Sequence, residues 1–104
     1  MSKNKVSTFG EQVRELREDA NLSLREVAEK IGIDTSLLGK IERSERQPTK
    51  DQIKQVAKYF KLDEKEMLKE YLSDQIAYKI LEEEAYLDIL KVAERKVQYL
   101  KTRL

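Results

Sequence analysis

The stretch SLREVAEKIGIDTSLLGKI, residues 23–41, decides how the rest of the chain is read. Ser23 with Glu26 is a capping box, in which a hydroxyl and a carboxylate each take up a free N–H at a helix start. Val27, Ala28 and Ile31 then recur at helical spacing and give that helix one apolar face. Gly32 is placed to end it in the left-handed conformation, where a Cβ would be penalised. Ile33 is apolar and plugs the angle that follows, and Asp34 is placed to cap the next helix. That helix carries Leu37, Leu38 and Ile41 inward and ends near Arg43 and Ser44. Ala28 is small, as suits a position where two helices approach closely. Helix, tight turn, helix is the spacing of a helix-turn-helix.

Outward from this stretch the same signals repeat. Thr8 with Glu11 forms another capping box, and Phe9, Val13 and Leu16 behind it share one helical face. Thr49 with Gln52 opens a helix whose inner face is Ile53, Val56, Ala57 and Phe60. Asp63 with Glu66 opens a short one holding Met67, Leu68 and either Tyr71 or Leu72. Five helices are therefore expected over residues 8–72, preceded by a flexible N-terminus at residues 1–7. Residues 73–104 contain no Gly and no Pro. One helix over that span would be about 48 Å long, more than a domain of this size covers. Glu82-Glu83-Glu84 interrupts the apolar pattern and marks either a bend or a junction between two helices. Beyond it Tyr86, Leu90, Ala93, Val97, Leu100 and Leu104 alternate in spacings of four and three, the seam of a coiled coil or antiparallel helix pair. Leu87 and Ile89 widen that seam. Residues 73–104 are read as a C-terminal helical extension.

Composition narrows the chemistry. The 104 residues are 39% hydrophobic and 39% charged, with 3 Gly, 1 Pro and no Trp, a balance that suits one small all-α domain. There is no Cys, which excludes disulfides, zinc knuckles and thiol nucleophiles, and no His, the commonest general base and metal ligand. No catalytic residue, metal or cofactor is therefore expected, and the chain does not read as an enzyme. No apolar run approaches the ~18 residues of a membrane span, and no apolar segment follows the polar first residues, so a cytoplasmic location is expected. A net charge of +1 matters less than where the charges sit.

The helix-turn-helix and its surroundings resemble the Cro/repressor-like (XRE-type) family. The matching residues are Leu16-Arg17, SLREVAEKIGI at 23–33, Ile41-Glu42-Arg43, Pro48 and residues 53–62. The resemblance implies a five-helix, lambda-repressor-like bundle whose third helix enters the major groove of DNA. It implies base contacts at Thr35, Ser36 and Lys40, whose chemistry suits the task. Lys40 can donate to guanine, Ser36 can donate or accept, and the Thr35 methyl can touch thymine. Gly39, expected on the same open face, either lets the backbone approach a base or sugar or marks a tight helix crossing. Arg17 and Glu42 match a family pair linking the first helix to the end of the third, with part of the Arg17 guanidinium left near a phosphate. Leu24 and Ser44 depart from the polar residue and the glycine that the family often has there.

Residues 35–61 hold seven basic side chains against three acidic ones. Arg43, Arg46 and Lys50 lie in or just after the third helix, where phosphate contacts fall, while Lys54 and Lys58 read as a solvated face. Ser23 can meet a phosphate through its hydroxyl beside the N–H donors of its helix. One such domain reads only a few base pairs, and dimers gain affinity across two half-sites about 34 Å apart. The extension carries more apolar surface than five helices bury. Ile76, Ile80, Tyr86, Leu90, Val97 and Leu100 are therefore expected to form a homodimer interface, the competing reading being a tail folded back on its own domain. The expected function is a sequence-specific transcriptional regulator, a repressor or related regulator, bound to a double-stranded DNA operator. Within the family the chain looks like the small controllers of restriction–modification systems and the related phage-type repressors, and it is similar to regulators carrying a Tyr-Leu-Ser-Asp segment, here residues 71–74, after the fifth helix. The alternative is an interaction module, antitoxin-like or enzyme-associated, whose tail binds another protein.

Overall fold

The computed structural model describes residues 6–104, so most of the expected flexible N-terminus (residues 1–5) lies outside the described residues. The elements are α1 (Phe9–Asp19), α2 (Leu24–Ile31), α3 (Thr35–Glu42), α4 (Lys50–Tyr59), α5 (Glu64–Ile80) and α6 (Tyr86–Thr102), with no strand among the described residues. The all-α class and the helix-turn-helix at α2–α3 are as expected. None of these helices is long and apolar enough to cross a membrane.

Three of the four expected capping boxes form in full. Thr8, Ser23 and Thr49 each accept from the N–H of Glu11, Glu26 and Gln52, whose side chains reach back to the cap N–H. Two of the other helix starts differ from expectation. Asp34 makes no side-chain cap bond at α3, contrary to expectation. At α5, Asp63 Oδ1 accepts from Lys65 N at 2.8 Å, but Glu66 pairs with Lys69 Nζ at 2.7 Å and does not reach back.

The helix ends follow a shared rule that composition hides. Gly32 ends α2 at φ 77°, as expected. Asn21, Ser44 and Lys61 take the same left-handed conformation at φ 58°, 61° and 57° without being glycine. After each, an N–H reaches back to close the helix: Leu22 to Arg17 O (3.0 Å), Glu45 to Lys40 O (2.8 Å) and Leu62 to Ala57 O (2.8 Å). These bonds offset the steric cost of a Cβ there.

The chain divides into two compact units, one ending at Asp74 and the other Gln75–Leu104. The first contains the whole buried core. Leu38 and Val13 are fully buried, with Val27, Ile31, Ile41, Ile53, Val56 and Met67 around them. Leu16, Ile33, Leu37 and Phe60 pack partly buried against this core. Ile33 thus plugs the turn as its apolar character requires. Burying a Leu or Ile side chain contributes about 1.5–3 kcal/mol, so this cluster dominates the stability of the unit.

The fifth helix is the main departure from expectation. It is not short: α5 runs 17 residues to Ile80, through the Tyr-Leu-Ser-Asp segment expected to follow it. Nothing between Glu64 and Ile80 breaks a helix, and no Gly or Pro stops it. That segment instead fastens α5 to α1. Tyr71 meets Phe9 edge-on at 6.0 Å between ring centres, and Asp74 Oδ2 accepts from Phe9 N at 2.7 Å. Gln12 Nε2 donates to Glu70 Oε2 at 3.1 Å and to Ser7 O at 3.2 Å.

In the second unit the helix stops at Ile80, Glu83 N closing the turn onto Ile80 O at 2.9 Å. The interruption expected at Glu82-Glu83-Glu84 is therefore real. Tyr86, Leu90, Ala93, Val97 and Leu100 of the seam then lie on α6, which has 17 residues and buries none of them, and Leu104 lies beyond its end.

Asp74 gives a pH-dependent test. Burial pushes its carboxyl above the ordinary range, the Phe9 N–H pulls it down less, and Glu70 and Glu11 add to the upward push. With the folded value raised, stability falls as pH rises through the window between the unfolded and folded values. Asp74→Asn keeps an oxygen for Phe9 N and removes the charge. The variant should match or exceed the parent in thermal midpoint at pH 7 and lose that part of the slope. A lower midpoint at pH 7 would contradict this.

Candidate nucleic-acid interface

The site begins with how α3 is held. Arg17 on α1 grips Glu42 at the last turn of α3 with two parallel bonds, Nε to Oε2 at 2.8 Å and Nη2 to Oε1 at 3.0 Å. Arg17 Nη1 donates to Leu22 O at 3.0 Å, so the same guanidinium also fixes the turn after α1. The two side chains are only 12% and 5% exposed. Hydrogen bonding to Glu42 raises the Arg17 pKa more than burial lowers it. A charge-assisted, bidentate pair in this setting fixes an angle as well as an attraction.

A glycine not singled out by its sequence supports the same junction. A Cβ on Gly10 would overlap the Ile41 carbonyl oxygen and stand 2.7 Å from that of Glu42. The first turn of α1 therefore runs backbone against backbone with the end of α3. Gly10 inside a helix was the available signal, since glycine there costs stability unless something needs the space.

The outer face of α3 is open. Thr35, Ser36, Lys40 and Arg43 are exposed, while Leu38, Ile41 and Glu42 are buried. At 100° per residue, Ser36, Lys40 and Arg43 follow one another at i, i+4 and i+7 on that face. Gly39 is a correction: it is buried, not open. A Cβ there would stand 3.2 Å from Arg43 Nη1 and 3.8 Å from Leu24 Cδ1. The Arg43 guanidinium, from one turn further along, covers Gly39, and Leu24 Cδ1 is at ordinary contact distance. Leu24 likewise acquires a reason to be apolar, packing partly buried against the core.

The remaining residues frame this face. Ser23 is exposed, and its hydroxyl accepts from Glu26 N at 3.0 Å at the start of α2. The Ser23 N–H and hydroxyl hold the Glu26 carboxyl below its ordinary range. Arg46 and Lys50 are exposed on either side of buried Pro48. Arg43 is paired through Nε with Glu45. Arg17 alone of the basic residues named for the site is almost enclosed, its donors turned to Glu42 and Leu22. Among the described residues no cluster of three or more His, Cys, Asp or Glu is arranged to hold a metal ion.

A helix-turn-helix family model matches residues 13–67, just over half of the chain. The chain belongs to the XRE-type helix-turn-helix family. This is the family its residues resemble, and its members have the fold of DNA-binding regulators. Two uncharacterized HTH-type transcriptional regulators of Mycobacterium tuberculosis, from strains CDC 1551 / Oshkosh and ATCC 25618 / H37Rv, are each 39% identical over 49 residues. That match covers 47% of this chain and only 35% of each relative, so the chain spans about a third of their length. The restriction-modification controller protein C.AhdI from Aeromonas hydrophila is similar in structure, with a TM-score of 0.53 and 32% identity. The likeness covers 57% of this chain and 89% of the controller. A chain of the SinR protein/SinI protein complex matches with a TM-score of 0.55 over 91% of this chain and 99% of its own. At 19% identity that likeness concerns the fold alone.

The α1–α3 junction makes a stability prediction. Glu42→Ala strands a buried guanidinium and should cost about 3–5 kcal/mol in urea unfolding. Gly10→Ala should cost about 1–3 kcal/mol by overpacking against backbone that cannot yield. A loss under about 1 kcal/mol for Glu42→Ala would show that the clasp is not what holds α3.

Proposed function

We propose that this helix-turn-helix protein is a sequence-specific transcriptional regulator that binds a double-stranded DNA operator as a homodimer, with α3 in the major groove. The observation that carries the reading is the open polar face of α3 on a helix whose inner face and last turn are locked. Thr35, Ser36 and Lys40 read base edges there. Gly39 contributes room, which Arg43 fills, and so acts on that face through its neighbour. Ser23, Arg43, Arg46 and Lys50 take phosphates and set the register. Arg17 works from behind, fixing the angle at which α3 is offered. The similar controller protein and the regulators of Mycobacterium tuberculosis support a regulatory role, exercised in the cytoplasm.

Dimerisation is assigned to the extension. Ile76, Tyr86, Leu90, Val97 and Leu100 are 40–56% exposed, and Ile80 is half-buried. A stripe of this kind along α6 is unusual on a monomer. A second copy both covers it and supplies the second half-site. The same stripe suits a different protein as partner, and that is the reading to adopt if DNA selection fails.

The test is selection of bound sequences from a random duplex pool at moderate salt. A palindrome should emerge, with half-sites an integral number of helical turns apart. The Ser36→Ala, Lys40→Ala double variant should keep its fold and lose preference at the positions those side chains read, each good contact being worth about 1–3 kcal/mol. Recovery of no motif, or of the same motif by the variant, would overturn the assignment of α3.

A further inference from the structure

The geometry points to Glu45 as a specificity-determining residue: its carboxylate holds the Arg43 guanidinium folded back over Gly39, in competition with DNA phosphate. This inference rests on the operator-binding reading.

The arrangement is built by the end of α3. Ser44 takes the left-handed conformation, and the chain doubles back so that Glu45 N donates to Lys40 O at 2.8 Å. That bond fixes the Glu45 backbone beside the last turn of α3, and its carboxylate then takes Arg43 Nε. Arg43 could extend away from the end of the helix into solvent. Instead it lies back along one helical turn, Nη1 being 3.2 Å from where a Cβ of Gly39 would stand. Any side chain at position 39 would contest that space. The pair raises the Arg43 pKa and lowers that of Glu45, while Glu42 and Lys40 are the other charges felt there.

Both side chains are about half exposed, so the pair is accessible to DNA and individually weak. Its importance is positional. A carboxylate on Arg43 does what a phosphate oxygen would do, and binding must exchange one for the other. Glu45 therefore lowers affinity for any backbone phosphate brought to Arg43. A duplex that engages Thr35, Ser36 and Lys40 has contacts to offset this loss, and one that offers phosphates alone does not.

Glu45→Gln tests this, because it removes the charge and leaves the backbone bond to Lys40 in place. Binding to an unrelated duplex at low salt should tighten about three- to tenfold, and the slope of log affinity against log salt should steepen by up to about 0.9. Binding to the selected duplex should tighten less, so the specificity ratio falls. In an Arg43→Ala background the same substitution should change affinity less than twofold, an outcome that a purely structural role would not give. Glu45→Gln that leaves non-specific affinity unchanged, or that tightens binding equally without Arg43, overturns the inference while leaving the function standing. A parent chain that binds no duplex at low salt overturns both.

Discussion

The orientation of α3 depends on one junction. Arg17 and Glu42 are joined by two charge-assisted bonds with little solvent, and the Arg17 guanidinium adds a bond to Leu22 O. Gly10 lets the α1 backbone close against the same end of α3. An exposed ion pair would matter little here. A buried one is different, since losing either partner leaves an uncompensated charge in the core. The junction leaves the opposite face of α3 without structural duties, and that is where Thr35, Ser36 and Lys40 stand.

Local signals in the amino-acid sequence accounted for most of the first unit. Capping boxes at Thr8, Ser23 and Thr49 announced their helices because both members lie within one turn and need nothing else. Apolar spacing named the core because an amphipathic helix must bury its stripe. Where a single feature had to imply its partner, the reading was less complete. Asp34 had the right chemistry for a cap but makes no cap bond. Gly39 looked open because its neighbours on the helix are open, and only the path of Arg43 and Leu24 buries it. Gly10 had no visible reason until α3 was seen against it. Asn21, Ser44 and Lys61 end helices as glycine would, held there by hydrogen bonds that composition does not disclose.

The fifth helix illustrates the same limit. The pattern through Met67 and Leu68 read as short because the inward residues run out near Tyr71 and Leu72. The helix itself continues to Ile80, since helix propensity does not end where the core does. The Tyr71 and Asp74 contacts to Phe9 could not be read from periodicity, being a ring edge and a carboxylate meeting the start of a helix far away in the chain. The extension is the opposite case. Its seam along α6 is legible because apolar residues alternating at four and three need only one helix to be written.

The most direct test of the account is an amide NMR titration of the full chain with a short duplex carrying the selected sequence. Operator binding through α3 requires the largest shift changes over residues 35–46 and at the start of α2 near Ser23, with those of buried Val13 and Ile53 small. Changes confined to α6, or none at any salt concentration, would contradict it.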